Sequence, residues 1–123
     1  MCSIEGGGWR VDVFASWLAQ ARKGIVELFV LELLLKRGRL HGYGIVQALD
    51  ELGDLVAGVS TVYPVLKRLE ADGLVVAAWA TDTPGNPRKY YELTPEGAAF
   101  LARAQAEWGR IGDAMDTLGG EKR

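Results

Sequence analysis

STVYPVLKRLEADGLVVAAWATDTPGNPRKYYELT, from Ser60 to Thr94, changes pattern three times. Its first part is helical. On a wheel drawn at about 100° per residue, Val62, Val65, Leu66 and Leu69 fall on one side. Ser60, Tyr63, Pro64, Lys67, Arg68 and Ala71 fall on the other. Ser60 or Thr61 can open this helix as a cap, and Gly73 can close it. Pro64 then sits in or just after the first turn, where a proline does least damage. Two strand-like runs follow, Val75 to Ala80 and Lys89 to Leu93, separated by the turn chemistry of Thr83-Pro84-Gly85-Asn86-Pro87. Thr94-Pro95-Glu96 starts a last helix with a capping hydroxyl, a proline at the first helical position and a carboxylate near the positive helix end. That helix is expected to reach about Leu118.

Working back from Ser60, the spacing predicts two more helices. Asp12 is a candidate N-cap for the first, with Val13, Phe14, Trp17, Leu18 and Ala21 at helical spacing. The pattern continues through Ile25, Leu28, Phe29, Leu31, Leu34 and Leu35, and Gly24 is expected to bend or divide it. Lys36, Arg37 and Gly38 supply a basic last turn and a stop. The second helix is expected over Gly42 to Leu52, with Ile45, Leu49 and Leu52 facing inward. The order helix, helix, helix, hairpin, helix is that of a winged helix-turn-helix with an added C-terminal helix: mainly α, with a small β-hairpin. The expected organisation is a flexible tail over 1–11, the winged domain over 12–94, a dimerisation helix over 95–118 and a tail over 119–123.

Composition narrows the function classes. With 49% hydrophobic residues in 123, the chain can bury a core. Its formal net charge of −2 argues against a generic polyanion binder. A local basic face is enough for phosphate binding, however. No acid lies between Asp54 and Glu70, a span that holds Lys67 and Arg68, nor between Asp82 and Glu92, which holds Arg88 and Lys89. Cys2 is the single cysteine and His41 the single histidine, so neither an intrachain disulfide nor a Cys/His metal site is expected. The most apolar run, Leu28 to Leu35, is too short to span a bilayer and lies too far from the start for a signal peptide. A cytoplasmic protein without membrane association is expected. No motif pairs a nucleophile with a base, so neither an enzyme nor a cofactor is expected.

The polar side of the Ser60 helix offers hydroxyls, an aromatic ring and two cations. In a helix-turn-helix such a face enters the major groove, and its N-terminal residues, here Ser60 and Thr61, meet base edges. Arg88 and Lys89, just after the hairpin turn, are placed to reach the DNA backbone or minor groove.

Four segments taken together, in this order and spacing, resemble the PadR family of transcriptional regulators. They are His41-Gly42-Tyr43, Thr61 to Glu70, Gly73-Leu74-Val75 and Arg88 to Thr94. Gly44 departs from the family, which often has an acid there, and the short C-terminal helix resembles the small subgroup. The resemblance implies a homodimer on double-stranded DNA with a pseudo-palindromic operator, usually a repressor. By that match Tyr63, Pro64, Lys67 and Arg68 belong to the recognition helix, Arg88 and Lys89 to the wing, and His41 and Tyr43 to the start of the second helix. For His41 a hydrogen bond at the helix entry is the favoured role, whereas Tyr43 can equally contact the DNA backbone or serve as a packed tyrosine. Tyr90 and Tyr91 point to opposite faces of their strand, so at least one belongs to the core.

Leu101, Ala104, Trp108, Ile111, Met115 and Leu118 recur at spacings of three and four. Such a seam fits either pairing with a second subunit or packing on its own domain; the family match favours the intersubunit seam. Trp17 and Trp108 are candidates for holding a small aromatic effector near that interface, with core packing as the ordinary alternative. A winged-helix dimer that has lost DNA binding and serves as a protein-interaction or ligand-binding module is the competing functional reading, kept open by the acidic balance.

Overall fold

The computed structural model describes the backbone of residues 7–53 and 59–120, with side chains over 13–53, 62–81 and 84–120. Among the described residues, four helices and three strands follow in the order α1 (Gly7–Arg37), β1 (Leu40–His41), α2 (Gly42–Asp50), α3 (Val59–Ala71), β2 (Val75–Thr83), β3 (Asn86–Leu93) and α4 (Pro95–Leu118). The mainly helical architecture with a small antiparallel sheet is the one expected from the order of patterns.

One core joins the elements. Val26, Val30, Leu31 and Leu34 from α1 meet Ile45, Val46 and Leu49 from α2, and Val62, Leu66 and Leu69 from α3. Val75, Tyr91 and Leu101 close it from β2, β3 and α4. The inward side predicted for α3 is the buried side, with Val65 partly covered. α2 ends at Asp50, so Leu52 lies beyond it and is exposed; Val46 takes the inward place instead.

α1 departs from expectation at its start. It begins at Gly7, not after Asp12, and runs unbroken through Gly24. Helix propensity is a weak prior: once the apolar segment is helical, each added residue gains a hydrogen bond, which offsets the cost of a glycine. At 31 residues the helix is about 46 Å long, far longer than the core it serves. Val13, Phe14 and Trp17 on its first half are exposed, while among its described side chains the buried ones begin at Val26. It stops where Gly38, at φ +78°, sends its N–H to the Leu34 carbonyl at 2.8 Å.

The sheet order is β1-β3-β2, all antiparallel. β1 has no counterpart in the sequence reading. Its two residues pair Leu40 with Tyr91 and His41 with Tyr90, which ties the α1–α2 connection to the wing. β2 and β3 form the hairpin, longer than the periodicity suggested, and reverse between Thr83 and Asn86 with Gly85 at φ +80°. Pro84 followed by a positive-φ glycine is the residue pair a tight turn of this kind needs.

The start of α4 is fastened to the start of β2. Thr94 caps the helix, accepting the Gly97 N–H at 2.9 Å, while its backbone N–H donates to the Leu74 carbonyl at 3.1 Å. The hydroxyl proton lies within reach of the Gly73 carbonyl at 2.8 Å and the Leu74 carbonyl at 3.0 Å. Among the described residues, no helix is long and apolar enough to cross a membrane.

Candidate nucleic-acid interface

Residues far apart in the chain converge on one open groove of about 540 Å³ between the entry of α2, the flank of α3 and the wing. His41, Gly42 and Tyr43 form one wall, Tyr63 comes from α3, and Arg88 and Lys89 come from β3. No carboxylate is among the described residues that line it. In a chain with a net charge of −2, this local separation of charge matters more than the total.

His41 organises one side of the groove. As the N-cap of α2, it accepts the Gly44 N–H on Nδ1 at 3.0 Å. Its Nε2 lies 2.8 Å from the Arg88 guanidinium. A neutral imidazole has one free lone pair, so the cap bond and a full bond from Arg88 compete for it. The ring also stands edge-on to Tyr90 at 5.5 Å, and Arg39 covers the same tyrosine at 4.4 Å. The helix-entry role expected for His41 is present, and with it a link to the wing through Arg88. Tyr43 is 58% exposed, so it is not a packed tyrosine.

Tyr63 depends on a glycine. A Cβ on Gly42 would lie 2.6 Å from the Tyr63 ring, so only glycine allows the ring to lie against the entry of α2. Pro64 and Lys67 are exposed beside it on α3. Ser60 and Thr61 lie in α3, but their side chains fall outside the described residues. Tyr91 is the core member of the tyrosine pair, and burial holds its phenol above the ordinary value, partly offset by the neighbouring Lys89 ammonium.

Two cations differ from expectation. Arg68 is ion-paired with Glu27 of α1. Its position on the helix turns it toward α1, so it ties α3 to its neighbour and is not a free cation of the exposed side of α3. Lys89 reaches Glu70 at 3.5 Å, with both side chains half-exposed, which leaves its charge partly compensated.

Trp79 and Pro87 also line the groove and were missed by the sequence reading. The signal for Trp79 was there in the alternation Val75, Ala77, Trp79, which puts a large ring on the core-facing side of a strand after the core has ended.

The residues expected to form a seam on α4 divide. Leu101 is 1% exposed and belongs to the domain's own core, so it cannot serve as part of a free seam. Ala104 is partly covered, whereas Trp108, Ile111, Met115 and Leu118 are exposed. A periodicity of three and four marks an apolar face but does not say where along its length one partner gives way to another. Trp108 stands between two shallow grooves of about 420 and 440 Å³, shaped by Leu28 and Phe29 of α1 and by Phe100 and Ile111 of α4. Trp17 lies elsewhere, in a surface depression with Val13 and Gln20, and shares neither groove. Its ring contacts Phe14 at 5.7 Å.

Comparison with known proteins places these features in a family. The model of the transcriptional regulator PadR-like family matches residues 30–103. A transcriptional regulator of Mycobacterium tuberculosis is 37% identical over 82 residues, covering 67% of this chain and 73% of that protein. A crystal structure of a PadR family transcriptional regulator from Eggerthella lenta superposes with a TM-score of 0.76 at 32% identity, over 89% of this chain and 94% of that one. A PadR-like transcription factor from Bacteroides fragilis superposes with a TM-score of 0.68 at 36% identity, over 81% and 95% of the two chains. The winged helix, its short third strand and the helix that follows are therefore those of a regulator and not of an enzyme, and the chain belongs to the PadR-like family of transcriptional regulators.

Proposed function

We propose that this regulator is a cytoplasmic homodimer that binds a pseudo-palindromic operator in double-stranded DNA as a repressor and is released by a small aromatic effector. The observation that carries the DNA reading is the groove itself. Arg88 and Lys89 of the wing and Tyr43 and Tyr63 of the helices line one open surface with no described carboxylate on it. That surface is continuous with the exposed side of α3, where Lys67 stands. In this arrangement α3 enters the major groove and reads base edges, while the wing and the entry of α2 hold the flanking backbone.

The dimer reading is supported by two apolar surfaces left open at the projecting ends of the long helices. They are Val13, Phe14 and Trp17 on α1, and Trp108, Ile111, Met115 and Leu118 on α4. Packing the α1 end of one protomer against the α4 face of its partner would cover both and set two recognition helices for half-sites about one helical turn, roughly 34–36 Å, apart. Trp108, flanked by two grooves at this surface, is the residue best placed to hold a planar aromatic effector.

A band shift against the DNA upstream of the chain's own gene, across a salt series, tests the DNA reading. Few cations serve the surface, so log affinity should fall linearly with log salt with a slope of only a few phosphates. Changing Arg88 and Lys89 together to alanine should flatten that slope. Binding that survives loss of Tyr63 and Lys67 together would remove α3 from the interface.

A further inference from the structure

We propose that Trp79 is a contact of the wing with DNA, lying against the sugar face of one strand and adding affinity through apolar contact and not through charge. The proposal rests on the DNA-binding reading above. Val75, Ala77 and Trp79 share one face of the hairpin with their cross-strand partners Leu93, Tyr91 and Lys89. That face begins in the core, where Val75 is 2% exposed, and ends with Trp79 at 69%. The wing thus carries its apolar side out beyond the point where this domain covers it.

Beside the ring are Lys89, its cross-strand partner, Arg88 and the aromatic rings of Tyr43 and Tyr63. Cations beside uncovered rings fit the backbone of a nucleic-acid strand, whose phosphates take the cations and whose sugars take the rings. The occupant is assigned by charge complementarity: the groove's charged lining residues, among those described, are both cations.

A neutral ring displaces no condensed counterion. Its loss should lower affinity at every salt concentration without altering the salt dependence, whereas losing a phosphate-bound cation alters both. The experiment compares the full chain with Trp79→Ala, Trp79→Phe and Arg88→Ala, on a duplex from upstream of its own gene and on a scrambled duplex of equal length. Trp79→Ala should weaken binding to both duplexes about tenfold, the loss expected on removing an aromatic ring from a nucleic-acid contact, with its log–log line parallel to that of the wild type. Trp79→Phe should recover most of the loss, and Arg88→Ala should lower the slope by about one. Wild-type affinity in Trp79→Ala would overturn the proposal. So would a flattened slope in that variant, which would make the tryptophan a support for Lys89. If the wild-type chain binds neither duplex, the DNA reading fails and takes this proposal with it.

Discussion

Arg68 on α3 is ion-paired with Glu27 on α1, and the two ends of the pair differ sharply in exposure: 62% for the guanidinium side chain, 14% for the carboxylate. The arginine is therefore more important to the glutamate than the reverse. Removing Arg68 strands a poorly hydrated carboxylate between two helices. The cost should lie between that of an exposed pair and that of a buried one, about 1–3 kcal/mol. Arg68→Ala should lower unfolding stability by that amount, and Glu27→Gln by less, because the amide leaves no charge stranded. In the Arg68→Ala background, Glu27→Gln should recover part of the loss. A urea-denaturation cycle at fixed protein concentration measures all three; an Arg68→Ala variant as stable as the wild type would show that the pair carries no weight.

How much of this could be read in advance follows the range of the interaction concerned. The inward side of α3, the Pro84-Gly85 reversal and the Thr94-Pro95 helix start are encoded within a few residues, and the sequence carries them openly. His41 at the entry of α2 belongs with them, since its cap bond closes only three residues on. The strand at Leu40–His41 is different: two residues have no periodicity, and they become a strand only because Tyr90 and Tyr91 arrive beside them. The partner of Arg68 lies on α1, and nothing local to α3 names Glu27. For the same reason the spacing of three and four runs on through Leu101, although that residue is buried in the core and the exposed apolar stripe begins after it.

The joint between β2 and α4 should tolerate no side chain at Gly97. A Cβ there would lie 2.0 Å from the Leu74 carbonyl oxygen and 2.8 Å from the Leu93 side chain. The first of these is backbone, held by the Thr94 N–H, and cannot swing aside. Gly97→Ala should therefore destabilise the fold by at least the 1–3 kcal/mol typical of overpacking, although alanine is the better helix former. Thr94→Ala, which deletes the cap without adding bulk, should cost about 1–2 kcal/mol. Thermal melts rank the two. A Gly97→Ala variant that gains stability from its helix propensity would show that the joint relaxes freely.

Leu101 and Ile111 sit ten positions apart on one helix and should fail in different ways. Leu101→Ala opens a cavity in the domain core and should cost about 2–5 kcal/mol of stability. Ile111, 51% exposed, belongs to the surface proposed to meet a second subunit. Ile111→Glu should leave secondary structure intact and shift the chain toward monomer in sedimentation velocity, because a charge would have to be desolvated in the interface. A dimer unaffected by Ile111→Glu would put the subunit contact elsewhere.

Tyr91 gives the fold an alkaline limit. Burial raises its phenol above the ordinary value of 10.0, against the opposing pull of Lys89, so the folded chain holds this proton more tightly than the unfolded chain does. The stabilisation is fully present below that ordinary value and is lost as the pH rises through the higher folded value. Stability measured by urea denaturation from about pH 9 upward should decline partly on this account. Tyr91→Phe keeps the ring in the core and removes the titrating group, so its alkaline decline should be shallower than that of the wild type. Lys89→Ala should steepen it, because the buried phenolate would then lose the cation beside it. If the wild-type and Tyr91→Phe curves run parallel above pH 10, the phenol does not set the limit.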